Sequence, residues 1–499
     1  MRRFLLGACS LAALGLAIFT APGCGSDNEE TAGDDGGSSG SDGGCVGFTC
    51  PQEGGPKPGC VGLECMQLPC EGSATTSVTG TVLDPAGKVP IYNATVYIPN
   101  APLADIKEGS GTCDRCDAQV TGKPIAITLT DTSGGFKLDN VPIGADIPLV
   151  IQIGKWRRQV KIPAVAKCAA TALDATITRL PKNRTEGHIP RMALTTGGAD
   201  PLQCLLRKIG IEDSEFGVAG SEARIHLYKG GGFTQGTLKD ASGTFSAAVS
   251  GGAAFPAAQP LWSDTAKLNA YDVILLSCEG DENLGTKPQA ARDSLYNYAK
   301  TGGRVFASHY HYAWFSKSTD ATVSGVASWA PLDASGFNER TPPAIPSNPA
   351  TTAVNGDIST AFPKAVAMSE WLTKQNALAG GKLPIFDARH NIDQVTPSSL
   401  SWITVPTLNA PAPNNKPTEY MTFNTPIGAA ADAVCGRVVV SDIHVAAGQQ
   451  GGVSDDPQAA FPDGCKTTDL SAQQKALEFM LFDLSSCIQK DDAPIEQPH

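Results

Sequence analysis

Between residues 75 and 180 apolar and polar positions alternate in short runs, the period of half-buried strands. Ser77 to Asp84 alternates and stops at Pro85-Ala86-Gly87, a turn sequence. Ala94 to Pro99 and Ile125 to Thr130 repeat the pattern, and Asp131 to Gly135 turns the chain into Phe136-Lys137-Leu138. Ile147 to Ile153 and Gln159 to Ile162 read as a hairpin across Gly154-Lys155-Trp156. About seven short strands of this kind predict an all-β sandwich. From about residue 220 the rhythm changes. Ala223 to Tyr228 is a strand ending at Gly230-Gly231-Gly232, and Tyr271 to Cys278 is a continuous apolar run, as in a strand covered on both faces. Ala291, Leu295, Tyr298 and Ala299 share one helical face, Gly302-Gly303 stops that helix, and Arg304 to His309 is the next strand. This strand-helix-strand unit predicts parallel pairing. Gly436 to Asp442 is another buried strand; Ser471 and Gln474 form a capping box before the apolar stripe Leu477, Met480, Leu481 and Leu484. Residues 313–430, rich in Pro, Ala, Ser and Thr, read as a long insertion.

The first residues follow a different logic. Arg2 and Arg3 precede an uncharged run from Phe4 to Phe19, and Thr20-Ala21-Pro22-Gly23-Cys24 follows. The run is shorter than the roughly 20 residues a bilayer core requires. It resembles a lipoprotein signal peptide (1–23), with Cys24 lipidated at the new N-terminus; plain secretion is the alternative. Residues 24–44 then read as a flexible tether of Gly, Ser, Asp and Glu, and 489–499 as a disordered tail. Residues 45–72 are cysteine-rich. Cys45 to Cys50 and Cys60 to Cys65 are a short internal repeat; their spacing favours small disulfide loops over a zinc site.

Fifteen cysteines in 499 residues point to an oxidising compartment. Removing Cys9 with the signal and Cys24 to lipid leaves an odd number, so one thiol stays free or bridges chains. Disulfide candidates besides the repeat are Cys113, Cys116, Cys168, Cys204, Cys278, Cys435, Cys465 and Cys487, with Cys168 or Cys204 open as partners of the Cys113/Cys116 pair and Cys487 as partner of Cys278. A net charge of −12 argues against nucleic acid, whose phosphates require a basic surface. It equally argues against electrostatic binding to anionic lipid, which leaves the N-terminal anchor as the membrane contact.

Two resemblances refine this picture. Gly80-x-Val82-x-Asp84-x-x-Gly87, Ala94-x-Val96, Thr130-Asp131-x-x-Gly134-x-Phe136-x-Leu138 and Val141-Pro142-x-Gly144 resemble the carboxypeptidase regulatory-like domain, which implies a transthyretin-like sandwich over 75–180 and a non-catalytic role in binding, spacing or folding support. The Tyr271-to-Ile274 strand, the Gly302-to-His309 run and the Gly436-to-Val439 strand are similar to the class I glutamine-amidotransferase-like superfamily, in its ThuA-like branch. That implies a flavodoxin-like α/β domain with a parallel sheet over 220–488. The combination resembles cysteine-rich secreted lipoproteins of δ-proteobacteria. A (β/α)8 barrel is excluded, because eight strand-helix units cannot be found.

Open α/β sheets gather ligands beyond the carboxyl ends of their strands. That rule selects Cys278, Glu279 and Asp281 after one strand, His309 and His311 after the next, and Asp442 and His444 after the last. Asp387 and His390, following a short strand at Leu383 to Phe386, are further candidates. The nucleophile position of the amidotransferase family falls on Ser308-His309-Tyr310 and holds no Cys, so glutaminase activity is not expected. Three readings remain open. His309, His311, Asp442, His444 and His390 suit a divalent metal such as zinc. His309, His311, Asp442, His444 and Glu279 suit acid-base hydrolysis or isomerisation. A polar cluster in a binding protein is the plainest. The expected function is therefore an exported outer-membrane or cell-surface lipoprotein, alternatively periplasmic or extracellular. Its expected partner is an envelope ligand or protein, with carbohydrate among the candidates, and an extracytoplasmic hydrolase or metal-dependent enzyme is the alternative.

Overall fold

The computed structural model describes residues 55–116, 120–232, 240–330, 352–406, 417–445 and 455–489, together with 493 and 495. The signal peptide, the tether, Cys24, Cys45, Cys50 and most of the expected tail lie outside the described residues. The chain is multi-domain, rich in β structure and modest in helix, with a large mixed sheet.

Seven strands come first: β1 Ser77–Thr81, β2 Thr95–Pro99, β3 Pro124–Leu129, β4 Gly135–Asp139, β5 Gly144–Ile153, β6 Trp156–Val165 and β7 Ala170–Ala172. They form a three-stranded sheet in the order β4-β1-β7 and a four-stranded sheet in the order β3-β2-β5-β6. Alternation explains them. In β4 the burial runs inward at Phe136 and Leu138 and outward at Lys137 and Asp139.

Ten further strands make the large sheet: β8 Met192–Thr196, β9 Phe216–Gly217, β10 Ile225–Lys229, β11 Val273–Leu276, β12 Arg304–Ser308, β14 Val354–Ile358, β15 Leu383–Ile385, β17 Ser399–Thr404, β18 Thr418–Thr425 and β19 Gly436–Ser441. Two short strands, β13 Ala327–Trp329 and β16 Ile392–Val395, pair separately. The order is β15-β14-β17-β18-β19-β12-β11-β8-β10-β9. From β19 to β9 every pairing is parallel. From β19 to β15 every pairing is antiparallel. The parallel block starts at β8, upstream of the expected boundary near residue 220; its five residues are too short a run to stand out among the neighbouring turns. Within the stretch at 313–430, β14, β15, β17 and β18 extend the sheet.

The parallel strands are buried on both faces, and successive residues feed two cores. Val273, Leu275, Phe306 and Val439 join one; Ile274, Leu276, Val305, Ala307, Val438 and Val440 join the other. Helix α1 Gln289–Lys300 covers the second core with Ala291, Leu295, Tyr298 and Ala299. Helix α2 Ala472–Ser485 lies in the first core and starts at the capping box of Ser471 and Gln474. That core is continuous with the interior of the N-terminal sheets. Trp156 meets Phe482 edge-on at 5.6 Å, Tyr92 stacks on Phe479 at 6.0 Å, and Trp371 donates to the carbonyl of Pro90 at 2.8 Å.

Among the described residues five disulfides join Cys60–Cys65, Cys70–Cys168, Cys113–Cys435, Cys116–Cys487 and Cys204–Cys465. Cys113 and Cys116 thus reach the far end of the chain rather than Cys168 or Cys204. Cys487 pairs with Cys116, so Cys278 is not its partner: Cys278 is a buried free thiol at a strand end inside the molecule. Bridges of this number fit an exported protein. Among the described residues no helix is long and apolar enough to cross a membrane.

Candidate functional site

The sheet switches direction at β8. The chain leaves β8 for β9 and β10 on one side, then returns to β11, β12 and β19 on the other. Such a switch opens a crevice outside the carboxyl ends of the strands. Cys278 lies there, two residues past β11, with His309 immediately past β12 and His444 three residues past β19. All three are buried, Cys278 completely. Cys278 Sγ stands 3.2 Å from His309 Nδ1, and the imidazoles of His309 and His444 meet edge-on with centroids 4.8 Å apart. One donor atom from each of the three lies within 4.8 Å of the others. His309 takes up a left-handed backbone, φ 39°, so the chain turns sharply as it leaves β12.

A second layer of side chains fixes these positions. Asp387 lies two residues past β15, also left-handed at φ 52°, and its Oδ2 is 3.7 Å from His444 Nδ1, an ion-pair separation. Arg389 holds the same carboxylate at 2.7 Å. Asp200, after β8, accepts from Ser308 Oγ at 2.6 Å and from the Val445 amide at 2.8 Å, which ties the ends of β12 and β19 together. Gln473 and Gln474, at the start of α2, donate to the carbonyls of His444 and Val445.

The electrostatics follow from burial and these neighbours. Burial alone would raise the Cys278 thiol, but the imidazoles of His309 and His444 outweigh it and bring it down to about 6. Burial would lower His444, but Asp387 first, then Cys278 and Asp200, hold it well above its ordinary range. Burial would raise Asp387, yet His444 and Arg389 keep it well below the usual carboxylate range. Asp200 is raised by burial, only partly offset by His444 and Ser308. The centre is therefore a thiolate beside an imidazolium. Such a pair is a soft ligand set once the imidazole is neutral, or a nucleophile with its base.

The other sequence candidates serve neighbouring networks. His311 donates from Nε2 to the Ser277 carbonyl at 2.8 Å and accepts at Nδ1 from Trp314 at 2.9 Å. Burial brings it down to about 4, so it stays neutral and both ring nitrogens are engaged. Glu279 turns away from Cys278 into a closed ion pair with Lys287 at 2.5 Å, where it also accepts from Asn283 and from the Gly231 amide. The Gly230-Gly231-Gly232 turn does receive an anion, then, but it is the chain's own carboxylate. Asp281 lies beyond, half-buried. His390 pairs with Asp393 at 2.8 Å, and Asp442 accepts from the Asn391 amide at 2.9 Å. Of the residues singled out from sequence, the fold brings together His309, His444 and Asp387. Cys278, the strand-end thiol that was also a disulfide candidate, joins them, and the fold adds Asp200, whose only signal was a polar residue after the Gly197-Gly198 turn.

No family model and no curated protein matches the chain. Among solved structures it is similar to SMU.1228c, at 10% identity and TM-score 0.30 over 59% of this chain and 100% of that one. It is also similar to BcpA, the major pilin subunit of Bacillus cereus, at 17% identity and TM-score 0.14 over 23% of this chain and 31% of that one. At these scores neither likeness defines the fold or bears on the site.

Proposed function

We propose that this chain is an exported, lipid-anchored envelope protein whose ThuA-like α/β part holds a thiophilic divalent metal, zinc first among them, through Cys278, His309 and His444. A transthyretin-like sandwich packs beside that part. The anchor is Cys24. The observation that carries the metal reading is the convergence of one thiol and two imidazoles, from three adjacent strand ends, in a buried space. Zinc–sulfur and zinc–nitrogen bonds of roughly 2.3 and 2.0–2.1 Å put the donors of a tetrahedral site roughly 3.3–3.8 Å apart. The Cys278–His309 separation of 3.2 Å and the 4.8 Å upper limit for the three bracket that range. Neither ring nitrogen of His444 makes a hydrogen bond among the described residues, and its Nδ1 lies at ion-pair distance from Asp387.

Asp387 faces His444 Nδ1 and so directs Nε2 toward the thiol, as carboxylates do behind metal-bound histidines. Three protein ligands leave one position for an external donor, so the centre either binds an envelope ligand or acts upon it. When bound, the metal would supply Lewis acidity toward a carbonyl or phosphoryl oxygen.

Elemental analysis of the purified protein is the test. Close to one equivalent of zinc or another thiophilic metal per chain is expected, removable by chelation and restored by dialysis. The His309→Ala/His444→Ala variant should fold, judged by circular dichroism, and take up none. A wild-type chain that binds no metal after incubation with zinc or copper would sink the reading.

A further inference from the structure

We propose that the cleft between the loop after β1 and the Lys466–Lys475 segment binds a small hydroxylated anion, a sugar acid or a sugar phosphate. The cleft has a volume of about 790 Å³, within the range of small-molecule sites. It lies at the seam where the N-terminal sheets meet the large-sheet part, away from the residues of the thiol–imidazole centre.

Its charge stands out against the chain. The protein carries −12 overall, yet the cleft is lined by six cationic side chains and four acidic ones. Most of these are already matched. Lys88 pairs with Asp469 at 2.6 Å, Arg207 with Asp213 at 2.7 Å, and buried Lys208 with Asp455 at 2.6 Å. Lys475 donates to the Gln375 carbonyl, and Glu212 accepts from Asn183. Lys182 and Lys466 are left over: among the described residues neither ammonium has a carboxylate or a hydrogen-bond acceptor. Two uncommitted ammonium groups in one cleft are a site for an anion.

The floor asks for something else. Asp84 is 1% exposed; its Oδ1 accepts from the amides of Lys88 at 2.7 Å and Val89 at 3.2 Å, while Oδ2 has no partner among the described residues. A buried acceptor without a donor is costly unless something supplies one. A ligand hydroxyl supplies it. The anionic end would then lie at Lys182 and Lys466 and a hydroxyl at Asp84. No aromatic side chain lines the cleft, so a stacked sugar face is not part of the recognition.

Calorimetric titration of the full chain with glucose 6-phosphate, glucuronate, inorganic phosphate and glucose tests this. At least one sugar anion should bind, more tightly than inorganic phosphate and far more tightly than glucose. A preference for glucose 6-phosphate assigns the phosphate source, and a preference for glucuronate the carboxylate source. The Lys182→Ala/Lys466→Ala variant should weaken that binding by roughly tenfold or more, with an unchanged melting temperature because neither ammonium holds a contact. Asp84→Asn should reduce the sugar anion to the affinity of inorganic phosphate. No binding by either sugar anion, equal binding of glucose, or affinity untouched by the double variant would overturn the proposal. Metal-stripped protein should titrate identically, so the outcome is separable from that of the metal centre.

Discussion

At the scale of single residues, two carboxylates carry the clearest consequences. Asp387 stands between Arg389 at 2.7 Å and His444 at 3.7 Å, and Asp-to-Asn keeps the shape and tolerates the left-handed backbone at φ 52°. Asp387→Asn should therefore fold normally but lose metal affinity by about 10–100-fold, the usual cost of removing such a support; a competition titration against a chromogenic chelator reads this. Asp84 is different, because burial raises it from 3.8 to about 6. A folded-state value above the unfolded one stabilises at low pH and costs stability as pH rises through 6. Glu478 behind it, fully buried and raised well above its ordinary range by burial and by Asp84, works in the same direction. Asp84→Asn should thus leave stability nearly unchanged at about pH 3, below the unfolded value, and raise it at pH 8 by about 3 kcal/mol, from about 2.2 units at 1.36 kcal/mol each. Denaturant titrations at the two pH values check this; equal effects at both would contradict it.

At the scale of elements, the positions that bury both faces were the legible ones. Val273–Leu276, Arg304–Ser308 and Gly436–Ser441 read as continuous apolar runs because parallel strands have no wet side. The same runs pointed to His309 and His444. Ser471 and Gln474 announced α2 because a capping box is a local pattern. The strands β14, β17 and β18 were not legible, unlike β15 at Leu383, since their half-polar residues resemble loop and their partners lie far along the chain. For the same reason Cys278 could not be separated from the disulfide cysteines: only the third dimension sets its sulfur beside two imidazoles and away from Cys487. β8 also went unnoticed, although the close approach of its end to β11 shapes the site. A Cβ on Gly197 would stand 2.1 Å from the Cys278 carbonyl oxygen and 2.5 Å from that of Ser277. Gly197→Ala should push these strand ends apart, costing about 1–3 kcal/mol as overpacking does and abolishing metal uptake. Gly285→Ala, with no atom within 4 Å of its Cβ, is the control that should do neither.

At the scale of the whole molecule, the N-terminal sheets are bound too tightly to be a spacer. Their core runs without a break into that of the large sheet, and the turn between β5 and β6 presses Gly154 against the end of α2, where a Cβ would meet the Ser485 carbonyl at 1.6 Å. Lys155 in that turn is buried against Asp272 at 2.7 Å, just before β11. Cys113–Cys435 and Cys116–Cys487 then tie the segment between β2 and β3 to the far end of the chain, across 322 and 371 residues. Long closures restrict the unfolded chain most, and each is worth about 2–4 kcal/mol. Replacing Cys113 and Cys435 by serine should therefore lower unfolding free energy by that amount, with a single cooperative transition retained, because the shared core still couples the parts. Chemical denaturation followed by tryptophan fluorescence and by far-ultraviolet circular dichroism measures both. Two separated transitions, in the variant or in the wild type, would mean that the N-terminal sheets fold independently and that their support of the large-sheet part is dispensable. Coincident curves would place the sandwich within the folding unit that holds Cys278, His309 and His444 in register.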